Sequence, residues 1–168
     1  MSQGEASARR ARAIGRVLGT LDGALQVLGA LCLAGLTALV LLQVVLRYVV
    51  GSVPAFTEEV ARYAMIWMAL TATAVGVRHG AHIRIDAAAS AIGAVSPRLA
   101  VLHGAILDAI TLAICLVLVW YGVDMVRFAA FQTSEGLRIP LSYPYVIVPV
   151  AFAVAALFAA ARILTRSR

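Results

Sequence analysis

The chain has 168 residues, 62% of them apolar and only 13% charged, with a mean hydropathy of +0.95. A water-soluble domain is about half apolar and about a quarter charged, so a single soluble core is excluded and a bilayer is the natural solvent. The net charge of +6 comes from fourteen arginines, no lysine and eight acids, and the arginines flank apolar runs, which fits the positive-inside rule better than nucleic-acid binding.

The polar segment Met1–Arg16, with Arg9, Arg10, Arg12 and Arg16, precedes the first candidate span, Gly23–Leu46. That run carries no charge, and about 20 apolar residues suffice to cross the hydrocarbon. It is too long for a signal-peptide core and no cleavage site follows, so a retained signal anchor is expected. The connection Arg47–Ala55 contains the turn formers Gly51 and Pro54.

The second span, Phe56–Val77, opens on Glu58, Glu59 and Arg62 and is uncharged from Tyr63 onward. On a helix both acids come within reach of the Arg62 guanidinium, and the N-terminal dipole favours them. The cluster is therefore read as an interfacial anchor of helix depth. The next connection, Arg78–Arg98, begins Arg78-His79-Gly80-Ala81-His82-Ile83-Arg84-Ile85-Asp86. It reads as a turn at the headgroups, with His82 and Asp86 paired at i,i+4 and arginines facing anionic lipid. The two histidines lack a carboxylate or thiol at ligand spacing, so no metal site is expected.

The third span, Leu99–Val126, is interrupted by Asp108 and Asp124. Asp108 lies about nine residues in, roughly 14 Å deep at 1.5 Å per residue. Near the midplane a carboxylate is costly, so Asp108 is expected to be buried and neutral, with Thr71 and Thr73 as candidate partners. A coupling site and a plain interhelical hydrogen bond both remain open for it. The fourth span, Ile139–Ala161, contains Pro140, Pro144 and Pro149 and predicts a kink. Cys32 and Cys115 sit inside apolar runs and read as small buried hydrophobes.

Ten of the arginines fall in the N-terminal segment, the Arg78–Arg98 connection and the C-terminal tail. This predicts an all-α membrane bundle of four helices, a single membrane domain over residues 1–168, with both termini cytoplasmic. No H-E-x-x-H, phosphate-loop, dinucleotide or nucleophile pattern is present, so neither an enzyme nor a cofactor site is expected. A b-type haem or quinone anchor subunit would need axial histidines such as His79 and His103 inside the bundle. A stand-alone small transporter would need Asp108 as its coupling acid.

The motifs resemble the small permease subunit of tripartite ATP-independent periplasmic (TRAP) transporters. The resemblance rests on Arg47-Tyr48 at the end of the first span, the loop Gly51–Pro54, and Glu58, Glu59, Arg62 and Trp67 on the second. It continues in the Gly80, His82, Ile83 and Asp86 turn and in Pro140, Tyr143, Tyr145 and Pro149 at the fourth span. Phe56 stands where that family often has tryptophan. The resemblance implies an accessory subunit of the bacterial inner membrane without catalytic or metal sites. Its partners would be a large permease subunit, which carries the substrate and sodium sites, a periplasmic substrate-binding protein and the membrane lipids. Together they would run symport of an organic acid such as a dicarboxylate. Arg47, Tyr48, Glu58, Glu59, Arg62, Trp67, His82, Asp86 and Asp108 would then be structural or partner-interface residues.

Overall fold

The computed structural model describes residues 3–79 and 97–166, with side chains described over 15–79 and 103–164. The chain is helical, as lipid demands of any open-ended backbone, because every N–H and C=O must be satisfied within its own segment. The helices are α1 (Gln3–Val49), α2 (Ala55–His79), α3 (Pro97–Ala129), the single turn α4 (Ser142–Tyr145) and α5 (Ile147–Arg166). Four stretches are long and apolar enough to cross a membrane: Gly15–Val49, Ala55–His79, His103–Ala129 and Ser142–Leu164.

Each boundary has a local cause. Gly51 adopts φ +78° and its N–H, like that of Val50, turns back to the carbonyl of Leu46. This left-handed residue closes α1 at little steric cost. The connection after α3 folds on itself: Ser134 donates to Ile139 at 2.8 Å and Leu141 to Gln132 at 2.9 Å, around an isolated bridge between Thr133 and Pro140. Residues 139–141, expected to open the fourth span, belong to this folded turn, and the final helix instead runs on to Arg166. The helix that carries the first span likewise starts well before Gly23, at Gln3.

The proline break expected in the last span lies at Val146, between α4 and α5. Pro149 has no N–H to offer the carbonyl of Tyr145. The neighbouring carbonyl, that of Pro144, accepts a hydrogen bond of 2.9 Å from Trp67 Nε1 on α2, so a second helix supplies a donor at the break.

The main packing contacts run from α1 to α2, from α2 to α5 and from α5 to α3, so α5 lies between α2 and α3. The shared core is built around Phe158, Ala74, Val77, Cys115, Ala155 and Ala159. Small residues permit close crossings. A methyl group on Gly29 would stand 3.3 Å from Thr71 Oγ1, and one on Gly122 would stand 3.3 Å from Pro149. Gly35 and Gly76, in contrast, have nothing within 4 Å of where a Cβ would be. The outer helix α1 keeps most of its large side chains exposed, among them Leu31, Leu41 and Val45.

Candidate functional site

Two polar assemblies stand at opposite ends of the bundle. The first joins all four long helices. Asp22 on α1 is 8% exposed, and its Oδ2 lies 3.5 Å from Arg78 Nε and 3.3 Å from His79 Nε2, both on α2. Arg78 also donates from Nη1 to the carbonyl of Leu18 on α1, and its guanidinium stands 5.4 Å above the Phe158 ring of α5. Arg162 on α5 donates to the carbonyl of Val77 at 2.9 Å and meets Asp108 Oδ1 of α3 at 3.0 Å. Two arginines near the ends of α2 and α5 thus reach two acids that lie at the same level on the antiparallel neighbours α1 and α3.

This arrangement corrects the expectation for Asp108. It is buried, as expected, but it meets a guanidinium and neither threonine. Thr71 donates to the carbonyls of Trp67 and Met68 and Thr73 to that of Ala69, each within its own helix. Asp22 and Arg162 are absent from the sequence-derived candidates, since both lie just outside the uncharged runs that define spans by composition.

The second assembly holds the folded turn after α3 against the start of α2. Glu59 Oε2 accepts from the backbone N–H groups of Gly136 and Leu137, both at 2.9 Å. Its Oε1 accepts from the hydroxyl of Tyr63. Gly136 is required by the close approach: a Cβ there would come 2.7 Å from Glu59 Oε2 and 3.0 Å from Phe56 Cα. A polar cavity of about 390 Å³ opens beside this contact, bordered by Glu58, Arg62, Glu135 and Tyr145.

The expected pairing of Glu58 and Glu59 with Arg62 is not formed. Among the described residues the ion pairs are those of Asp22, Asp108 and Asp124, and Arg62 and Glu58 are exposed. Backbone N–H groups outcompete the guanidinium for Glu59 because the turn brings two of them to one oxygen without ordering a long side chain. Arg47 and Tyr48 are exposed at the end of α1, and Trp67 is engaged at the α4–α5 break. His82 and Asp86 lie outside the described residues.

In these assemblies Asp22, Asp108 and Glu59 meet guanidinium, imidazole and backbone N–H groups, which hold helices and a turn together. Residues 36–168 match the family described as tripartite ATP-independent periplasmic transporters, DctQ component. The chain is also similar to the isethionate TRAP transporter permease protein DctMQ of Oleidesulfovibrio alaskensis, at 27% identity over 162 residues, covering 90% of this chain and 25% of that protein. It therefore spans about a quarter of the length of that curated relative. With the resemblance in its motifs, its four spans and this match over most of its length, the chain belongs to the DctQ component family of TRAP transporters, as a small permease component.

Proposed function

We propose that this chain is the accessory small subunit of an inner-membrane TRAP transporter. It braces a larger permease subunit that takes up an organic anion, coupled to sodium, from a periplasmic binding protein. Membership of the DctQ family over residues 36–168 carries this reading. It is supported by how the charges are used: the buried acids Asp22 and Asp108 serve contacts between helices, as in a scaffold. The relative's name specifies isethionate, a sulfonate, so the anion class extends beyond the dicarboxylates to other organic acids, and its choice rests with the partners.

The test is reconstitution into liposomes with a sodium gradient and the binding protein. Uptake requires the large subunit and falls sharply when this chain is omitted. Robust uptake by this chain alone would overturn the accessory role and favour a stand-alone small transporter. The arginine distribution further supports a cytoplasmic position for both termini. Single cysteines at the exposed positions Ser52 and Phe131, in a background lacking Cys32 and Cys115, then react with an impermeant thiol reagent from outside. Labelling of neither position from outside rejects that topology.

A further inference from the structure

Between α1 and α2 lies an apolar groove of about 420 Å³. From α1 it is lined by Gln26, Ala30 and Leu33, and from the antiparallel α2 by Gly76, Ala72 and Met68. Polarity falls along its length. One end carries His79, whose side chain is 55% exposed, and Gln26 lies on the same side, one turn beyond Asp22. The far end is lined by Leu33 and Met68.

Its length argues for the kind of occupant. His79 to Met68 is eleven residues of helix, about 16 Å, close to half of a hydrocarbon core of about 30 Å. A partner transmembrane helix crosses both leaflets and would need a groove twice as long. An acyl chain occupies one leaflet and places its polar headgroup where this groove becomes polar. The charge at that end is complementary: Arg78 and His79 flank the single acid Asp22, and Arg16 is exposed further along α1 toward the same end. With Nε2 directed at Asp22, Nδ1 is the ring atom left to face the headgroup, where the doubly protonated ring donates it to a phosphate oxygen. Gln26 is placed one turn deeper, at the level of an ester carbonyl.

We infer that this groove is a binding site for one glycerophospholipid of the leaflet at the Asp22 end, with an acyl chain between α1 and α2 and the phosphate at His79. The inference does not depend on the transport role and holds for the chain as a membrane protein.

Native mass spectrometry of the full chain in detergent, equilibrated with phosphatidylglycerol, tests it. The wild type retains one lipid per chain. Gly76→Leu fills the groove from a position with open space around its Cβ and lowers retention about tenfold, that is ~1.4 kcal/mol. Gly35→Leu, equally unobstructed but outside the groove, retains lipid as the wild type does. His79→Ala lowers retention of phosphatidylglycerol several-fold and leaves that of diacylglycerol, which has no phosphate, unchanged. Circular dichroism verifies that each variant is folded. Equal retention by Gly76→Leu and wild type would overturn the site. So would retained lipid combined with loss of the co-purifying large permease, an outcome that gives the groove to a partner helix. Indifference of phosphatidylglycerol retention to His79→Ala would overturn the placement of the phosphate.

Discussion

The two ends of the bundle use carboxylates in opposite ways. At the Asp22 end, acids on α1 and α3 meet arginines on α2 and α5, so side chains bind helix to helix. At the Glu59 end one acid accepts two backbone N–H groups, so a side chain binds a turn to a helix. The first arrangement confines ionic groups where water is scarce, and losing one partner leaves the other uncompensated. The second completes hydrogen bonding of a turn that would otherwise expose its N–H groups near the bilayer surface. Helix-to-helix ionic contacts should therefore dominate stability, and the turn contact should act locally.

The sharpest way to break that comparison is at Asp108 and Arg162, whose side chains are 9% and 25% exposed. Arg162→Ala leaves a buried carboxylate and should cost about 3–5 kcal/mol. Unfolding in mixed detergent micelles reads this loss directly. The double substitution Asp108→Leu/Arg162→Leu should recover most of it, since apolar replacement of a whole buried pair is often close to neutral. A double variant no better than Arg162→Ala would show that the pair is not the origin of the effect.

Glu59→Ala comes next. It removes the acceptor of two backbone N–H groups and of the Tyr63 hydroxyl, and it should raise amide hydrogen exchange at Gly136 and Leu137 while sparing α3 and α5. Glu59→Gln, which keeps one oxygen acceptor, should fall between it and the wild type. Exchange that rises equally throughout the bundle would mean that the turn contact is global and the two ends are alike.

Gly136→Ala probes the same contact from the other side. Phe56 backbone atoms 3.0 and 3.1 Å from the added methyl cannot yield as a side chain end would, so a loss of about 1–3 kcal/mol is expected in thermal unfolding. Gly35→Ala, with open space around it, should be silent. The smallest effect is expected at Arg62. It is exposed and outside the ion pairs of the described residues, so Arg62→Ala should change the stability of the isolated chain by less than about 0.5 kcal/mol. Because the sequence spacing alone makes Arg62 the hub of its cluster, a large loss there would restore the acid–arginine anchor. A normal Tm with impaired assembly would instead assign Arg62 to a partner.

The spans were legible because a run such as Gly23–Leu46 admits few alternatives to a membrane helix. The resemblance was legible because Arg47, Tyr48, Glu58, Glu59, Arg62 and Trp67 keep their order and spacing. The ionic network was hidden by reading spans as uncharged runs. Asp22 then falls one residue before the first span and Arg162 one residue after the last, so both read as flanking charges. The available signal was that Arg78 and Arg162 both lie near helix ends, where an acid on a neighbouring antiparallel helix can meet them. Glu59 was misassigned for a different reason. Helical spacing lists only the partners on its own helix, whereas the competing donors arrive from 77 and 78 residues away, through a turn whose fold no local pattern announces.

The position of α5 between α2 and α3 also bears on how the molecule is made. Of these helices, the last to leave the ribosome is the one that belongs in the middle. Until it arrives, α3 waits in the bilayer with Asp108 lacking the Arg162 guanidinium, and α2 lacks the neighbour whose Phe158 packs with Val77 in a common core. Biogenesis cannot proceed by adding each helix to the outer edge of the preceding ones. The three long helices before it must stay loosely associated until α5 enters between α2 and α3, so a nascent chain stalled before Arg162 would present the quality-control proteases with two unjoined halves.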